Sequence, residues 1–93
     1  MPVLSPDAVK TRLAQLPGWQ IESGELVRPF QFKDFVAALE FVNLIGQLAE
    51  VAGHHPDIDI RYNRVRLALV THDAGGITEK DFDLAVQAQN LAP

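Results

Sequence analysis

The segment from Lys33 to Ala52 limits the possible folds of this 93-residue chain more than any other feature. Its polar residues recur at spacings of three and four, the period of an α-helix. They form one narrow stripe: Glu40, Asn43, Gln47 and Glu50. Nearly every other position is apolar, whereas a surface helix of a monomer normally has a broad polar face. We therefore expect its apolar surface to contact another subunit, in a homodimer or homotetramer, or a partner protein.

Shorter patterns on either side predict two further helices. Ser5-Pro6 is typical of a helix start, because a serine side chain caps free backbone N–H groups and proline has none to cap. Thr78-Glu79-Lys80-Asp81 has the spacing of a capping box, in which the first and fourth side chains bind each other's backbone N–H group. This motif predicts the start of the last helix.

Four runs of alternating apolar and polar residues predict strands, because successive side chains of a strand point to opposite faces. The runs are Trp19–Glu22, Glu25–Phe32, Asp57–Tyr62 and Arg64–Thr71. Short turns join them in pairs, so each pair should form a hairpin. The order α-β-β-α-β-β-α predicts an α+β sandwich, with a four-stranded antiparallel sheet and helices packed on one face. We expect a single domain over residues 1–93.

The second predicted hairpin turns at Asn63, whose short side chain tolerates a positive φ. Tyr62 should then pack across the strands. The expected pairing places Asp57 roughly opposite Val70 or Thr71, which brings the two open ends of the hairpin together. Three arginines on the hairpin lie close to aspartates, so we expect cross-strand ion pairs rather than an anion site. The arginines are Arg61, Arg64 and Arg66, and the aspartates are Asp57 and Asp59.

The composition excludes several classes of protein. Without cysteine, the chain has no disulfides, thiolate zinc sites or thiol nucleophiles. A formal net charge of −4 argues against direct nucleic-acid binding, which depends on basic residues that displace counterions. No run reaches the roughly 20 apolar residues that span a bilayer, and the N-terminus lacks the basic and apolar parts of a signal peptide. We expect a cytoplasmic protein without membrane contact.

All three histidines fall at the open end of the second hairpin. His54 and His55 lie in the loop before it and His72 at the end of its second strand, so antiparallel pairing should bring them together. Three interpretations fit. Imidazoles exchange protons near neutral pH, which favours an acid–base site. Neutral imidazoles also bind divalent metals. In the third interpretation, the three side chains simply cap backbone groups at the surface.

Two carboxylates lie near this cluster in the sequence. Glu50, one helical turn upstream of His54, continues the polar stripe, so exposure to solvent explains it. Asp81 is the fourth residue of the capping box, and that structural role is sufficient to explain it. Glu50 would act as a base only if His54 folds back on it.

Three motifs together resemble the signature of the pterin-4a-carbinolamine dehydratases. They are Glu50-x-x-x-His54-His55-Pro56, Tyr62-Asn63-Arg64-Val65 and Thr71-His72-Asp73-x-Gly75-Gly76-Ile77-Thr78-Glu79-Lys80-Asp81. The resemblance is densest from Glu50 to Ala85, and the upstream hairpin and long helix also fit it. It favours the acid–base interpretation over a metal site. Where many animal members carry an acidic residue and tryptophan, this chain has Asp57-Ile58, and Gly53 replaces their frequent Asp or Asn.

The resemblance implies dehydration of 4a-hydroxytetrahydropterin, the spent cofactor of aromatic amino-acid hydroxylases, to quinonoid dihydropterin, with no metal or organic cofactor. The implied catalytic residues are His54, His55 and His72, with His54 and His72 as the proton-transfer pair. The implied substrate-binding residues are Gly53, His54, His55, Val70, Thr71 and His72. Glu50 and Asp81 match signature positions and would support the histidines.

Three other functions are also compatible with the sequence. Some animal members of the family stabilise a homeodomain transcription factor through helix contacts, so the long helix could belong to a protein-binding module. We expect charges at Phe41 or Ile45 to abolish such an association. The second alternative is an enzyme of another pterin pathway, such as molybdopterin metabolism, and the third is a metal-dependent hydrolase.

Overall fold

The computed structural model describes residues 2–92 and has the predicted order of helices and strands. The elements are α1 (Pro6–Ala14), β1 (Gln20–Glu22), β2 (Glu25–Gln31), α2 (Phe35–Ala52), β3 (Asp57–Arg61), β4 (Arg64–Leu69) and α3 (Glu79–Leu91). A single-turn 3₁₀ helix, His72–Ala74, follows β4. Each strand is one or two residues shorter than predicted, at one end.

The four strands form one antiparallel sheet in the order β1-β2-β4-β3. The two hairpins are therefore joined through β2 and β4 at the centre of the sheet, with β1 and β3 at its edges. The core lies between the helices and one face of the sheet. Its buried side chains include Leu26, Phe30, Val65, Leu67 and Leu69 from the sheet and Phe41, Ile45, Phe82 and Ala85 from α2 and α3. This arrangement confirms the predicted α+β class.

Helix α2 begins at Phe35, two residues later than predicted, because Asp34 caps its first turn. Oδ1 of Asp34 accepts a hydrogen bond from the backbone N–H of Ala37 at 2.8 Å. The buried residues of the helix are Ala38, Phe41, Ile45 and Ala49. The expectation that Phe41 and Ile45 lie on the contact surface for a partner is therefore wrong, since both belong to the core.

Helix α2 is long and apolar enough to span a membrane, with 18 residues and a mean hydropathy of 1.5. No such segment is expected from the sequence. A core helix and a membrane span can have the same composition, so packing has to distinguish them. Here one face of α2 covers the sheet, and its stripe of polar side chains is exposed. This packing is that of a core helix.

The β3–β4 hairpin turns through Tyr62 and Asn63, and Tyr62 is the residue with positive φ, at 51°. The expectation that Asn63 adopts this conformation is wrong. Asn63 is held by β2 instead: its side-chain amide donates to the carbonyl of Phe32 at 2.9 Å, and its carbonyl accepts from the Phe32 N–H at 2.8 Å. Tyr62 is 66% exposed and does not pack across the strands as expected.

The register of the hairpin also differs from the expected one. Because Arg61 pairs with Arg64 across a two-residue turn, Asp57 lies opposite Ala68 rather than Val70 or Thr71. The chain after β4 therefore continues past the start of β3. It runs alongside the loop of residues 53–56, which connects α2 to β3.

Candidate active site

The position of His54 is determined by the end of α2. Gly53 has φ 62° and ψ 30°, a left-handed conformation that a residue without Cβ adopts with little strain. The backbone N–H of Gly53 donates to the carbonyl of Glu50 at 3.2 Å, and that of His54 donates to the carbonyl of Ala49 at 3.1 Å. These bonds form a Schellman motif, which ends the helix and turns His54 towards α3.

His54 forms a close pair with Asp81 at the start of α3. Nε2 of His54 lies 2.5 Å from Oδ1 of Asp81. The Asp81 side chain is fully buried and that of His54 is 11% exposed, so solvent screens their interaction only weakly. The sequence connected Asp81 with the histidines only through the family resemblance, and the structure places the two side chains in contact.

The second oxygen of Asp81 closes the capping box predicted from the sequence. Oδ2 accepts hydrogen bonds from the backbone N–H of Thr78 and the hydroxyl of Thr71, each at 2.9 Å. Because Thr71 gives its only hydroxyl proton to Asp81, the Thr78 hydroxyl donates to Oγ1 of Thr71, 2.7 Å away. Asp81 therefore caps α3 with one oxygen and holds His54 with the other, so the structural role and the supporting role coexist.

This network determines which ring nitrogen of His54 is available to a ligand. An ionised carboxylate only accepts hydrogen bonds, so Nε2 of His54 carries a proton directed at Asp81. Nδ1 is then the nitrogen that can accept a proton. A buried carboxylate in this position also stabilises the imidazolium that forms when Nδ1 takes up that proton. The pair is suited to a general base.

His55 interacts with Glu50 rather than with the buried network. Its Nε2 contacts Oε2 of Glu50, and the two side chains are 61% and 76% exposed. Ion pairs in such exposed positions contribute little to stability. Glu50 therefore contacts a histidine, as the resemblance implied. Its partner is His55, and not His54, which lies one helical turn downstream of Glu50.

His72 is presented by the 3₁₀ turn after β4. Thr71 and Gly76 close this turn as an isolated β-bridge, in which the Thr71 N–H donates to the Gly76 carbonyl at 3.0 Å. Gly75 adopts φ 82°, which ends the turn. The His72 side chain is exposed. Within residues 2–92 it makes no side-chain hydrogen bond, so both ring nitrogens are open to a ligand.

The loop after α2 and the turn after β4 enclose a cleft of about 230 Å³, which we call the histidine cleft. Six of its lining residues are those implied to bind substrate: Gly53, His54, His55, Val70, Thr71 and His72. The other two are Asp73 and Lys80. Asp81 and Glu50 do not line the cleft, but each contacts a histidine that does.

No metal centre is evident in the described part of the chain, where no three or more His, Asp or Glu side chains are grouped as ligands. The contacts of the histidines give the reason. His54 and His55 each direct Nε2 to a different carboxylate, that of Asp81 and that of Glu50. Lys80 also lines the cleft, and its positive charge disfavours a cation there.

Comparison with known proteins identifies the family. A family model described as pterin 4 alpha carbinolamine dehydratase matches residues 2–91. The chain belongs to this family. A relative from Acidobacterium capsulatum is 60% identical over 91 residues, which cover 98% of this chain and 99% of the relative. Another, from Chloroflexus aurantiacus, is 62% identical over 91 residues, with 98% of both chains covered. Both are named "putative pterin-4-alpha-carbinolamine dehydratase".

Solved structures of similar proteins have the same fold. The crystal structure of a transcriptional coactivator/pterin dehydratase from Brucella melitensis matches with a TM-score of 0.94 and 34% identity, over 98% of this chain and 99% of that one. A pterin dehydratase-like protein identified as a RuBisCO assembly factor in the α-carboxysome matches with a TM-score of 0.66 and 24% identity, over 80% of this chain and 86% of that one. The second likeness concerns the fold alone.

Two cleft residues of this pterin dehydratase family member were missed by the sequence analysis. Lys80 is an interior position of the capping box, and the motif assigns it no role. Because successive residues of a helix point in different directions, Lys80 does not share the buried position of Asp81. Asp73 was quoted within the signature but given no role. Lys80 precedes Asp81 and Asp73 follows His72, and these neighbouring positions were the available signal. Residues next to site residues, at a helix start or in a tight turn, lie at the edge of the same cleft.

Proposed function

We propose that the protein catalyses the dehydration of 4a-hydroxytetrahydropterin to quinonoid dihydropterin, as a hydro-lyase without a metal or organic cofactor. This step recycles the pterin cofactor of aromatic amino-acid hydroxylases. The observation that carries the proposal is the histidine cleft, which all three histidines line and in which one of them is held by a buried carboxylate. Substrate and product are small soluble molecules, which suits the expected cytoplasmic location.

The reaction needs one proton donor and one proton acceptor. The C4a–O bond breaks, and because hydroxide is a poor leaving group, an imidazolium should protonate the departing oxygen so that water leaves. The N5 proton is removed by a neutral imidazole as the C4a–N5 double bond forms. General acid–base assistance of this kind contributes about 10²–10⁴-fold to a rate.

We assign the base to His54 and the acid to His72. Nε2 of His54 is engaged by Asp81, which leaves Nδ1 to accept the N5 proton and stabilises the resulting positive charge. His72 is exposed and, within residues 2–92, makes no hydrogen bond to another side chain, so it can be protonated from solvent between turnovers. His55 lies beside them and would orient the pterin, whose amide-like edge would bind backbone groups of residues 53–55 and 70–72.

The proposal is tested by adding the protein to freshly generated 4a-hydroxytetrahydropterin and following the appearance of quinonoid dihydropterin. We expect a clear acceleration over the uncatalysed rate that persists after dialysis against a chelator. No acceleration would contradict the proposal. Binding of molybdopterin precursors without turnover of the carbinolamine would then favour an enzyme of another pterin pathway.

The split of roles between two histidines predicts a bell-shaped dependence of kcat/KM on pH. The base has to be neutral and the acid protonated in the same molecule, so the rate should fall on both sides of a maximum near neutral pH. The measurement is kcat/KM between pH 5 and pH 9, with the uncatalysed rate subtracted at each pH. A flat profile over this range would count against histidine acid–base catalysis.

The exposed apolar residues of α2 support a second function, association between copies of the chain or with a partner protein. Phe35 and Leu39 lie on one flank of the polar stripe, and Leu44 and Val51 lie on the other, at 100° per residue. All four are at least two-fifths exposed. We propose that the homodimer or homotetramer expected from the sequence forms through these flanks, because so much apolar surface on one helix is unusual in a monomer.

Glutamate at Leu39 or Leu44 is therefore expected to convert the oligomer to a monomer, since a charge buried in an apolar interface is costly. The molar mass can be measured by light scattering after size exclusion. Val36→Glu is the matched control: Val36 is 62% exposed and lies in line with the polar stripe, so the mass should not change. His54→Ala should also leave it unchanged. A mass unaffected by both leucine variants would contradict association through α2.

A further inference from the structure

The face of the sheet opposite the helices carries three arginines at one end of the β3–β4 hairpin. Arg61 pairs with Arg64 directly across the strands, and Arg66 follows two residues later on the same face. We call these three residues the arginine patch. A shallow groove of about 330 Å³ runs between them, with Pro29 of β2 and Asp59 among its lining residues. The histidine cleft lies beyond the opposite end of β4, so the two regions are separate.

The charges of the arginine patch are only partly neutralised. Arg61 Nε lies 3.5 Å from Asp59 of its own strand, and Arg66 Nη2 lies 3.3 Å from Glu22 of β1. Within residues 2–92, Arg64 has no carboxylate within 4.0 Å. The cross-strand ion pairs expected from the sequence are therefore not formed. Net positive charge remains at this end of the face.

The pairing of Arg61 with Arg64 does not stabilise the fold. Like charges directly opposite each other in neighbouring strands are destabilising, although Asp59 lies opposite Arg66 in the same hairpin. Tyr62 lies between Arg61 and Arg64 in the two-residue turn, and its side chain is 66% exposed. Tyrosine and arginine are both enriched among the residues that contribute most to binding energy in protein interfaces.

We propose that the arginine patch docks an acidic peptide segment of another protein. Alternate residues of a strand are about 6.8 Å apart, so Arg64 and Arg66 match the carboxylates of alternate residues in an extended acidic peptide. The same face turns acidic towards its other end, where Glu25 and Asp57 lie and from which Glu22 reaches Arg66. A nucleic-acid strand would extend over that acidic end, where its phosphates would be repelled, whereas a short peptide occupies the basic end alone. Charge complementarity thus favours a peptide over nucleic acid.

The test uses fluorescence anisotropy of a labelled hexaglutamate peptide, titrated with the full chain at low ionic strength. We expect saturable binding that weakens as salt is added. Arg64→Gln should weaken it by about fivefold, the upper range for an exposed charge contact. Lys10→Gln is the matched control, because it removes the same charge from an exposed position on α1 and should change binding by less than about twofold.

Three outcomes would overturn the proposal. The first is absence of saturable binding of the peptide. The second is equal weakening by Arg64→Gln and Lys10→Gln, which would indicate attraction to the overall charge rather than to the patch. The third is tighter binding of a labelled oligouridylate that also depends on Arg64, which would make nucleic acid the occupant. Dehydration of the pterin substrate should be the same in both variants, since neither residue lines the histidine cleft.

Discussion

Replacing His54 with alanine is expected to reduce the protein-dependent rate of carbinolamine dehydration by about 10²–10⁴-fold. The variant loses the ring nitrogen that we assign as the acceptor of the N5 proton. His72→Ala should cause a loss of similar size, because the departing oxygen then has no positioned proton donor. The measurement is single-turnover formation of quinonoid dihydropterin, with circular dichroism to confirm that each variant is folded.

His55→Ala serves as the control for this pair. His55 lines the same cleft, but its contact with Glu50 is exposed, and its proposed role is to orient the substrate. We expect a loss of no more than about tenfold, mainly in KM, because a binding contact common to ground and transition states changes KM rather than kcat. If His55→Ala is as damaging as His54→Ala, the assignment of the proton-transfer pair is wrong.

His54→Ala also removes a partner of a buried carboxylate, so the loss of rate could reflect a disturbed structure. His54→Gln addresses this point. Its amide N–H can still donate to Oδ1 of Asp81, but its side chain cannot act as a base. We expect the glutamine variant to be as inactive as the alanine variant and more stable. Recovery of activity in His54→Gln would mean that His54 acts by holding Asp81 rather than by moving a proton.

The parts of the fold that follow from local chemistry were predictable from the sequence. The period of three and four in α2, the alternation in the strands and the capping box at Thr78 each depend on neighbouring residues, and the helix, strands and capping box that they predict are present in the structure. The histidines were predicted to converge from antiparallel pairing alone. That inference succeeded although the register was wrong by two residues or more, because a short shift still leaves both ends of a hairpin adjacent.

Features that depend on tertiary contacts could not be predicted. The helical period shows that α2 has polar and apolar positions, but the choice of which apolar residues face the sheet depends on how the helix lies across it. Phe41 and Ile45 were therefore misplaced. The positive φ of Tyr62 arises because β2 holds Asn63 through two hydrogen bonds with Phe32. The contact between Asp81 and His54 could not be predicted either, since the two residues are 27 positions apart in the chain.

Replacement of Asp81 by alanine is expected to lower the free energy of unfolding by about 3–4 kcal/mol. The variant leaves the Thr78 N–H, the Thr71 hydroxyl and Nε2 of His54 without their acceptor in a buried region. It also removes the capping box of α3. Urea denaturation followed by circular dichroism measures the loss. Asp83→Ala is the matched control, because Asp83 lies in the same helix, is 68% exposed and should cost less than about 1 kcal/mol.

Asp81→Asn separates the structural role of this residue from its effect on His54. The asparagine oxygen can still accept the Thr78 N–H, so the capping bond is kept and the loss of stability should be about half that of Asp81→Ala. The neutral amide no longer stabilises an imidazolium at His54, so kcat should fall by at least about tenfold with little change in KM. A variant that keeps full kcat would show that Asp81 only caps α3. The short contact with His54 would then be a consequence of packing at the end of α2.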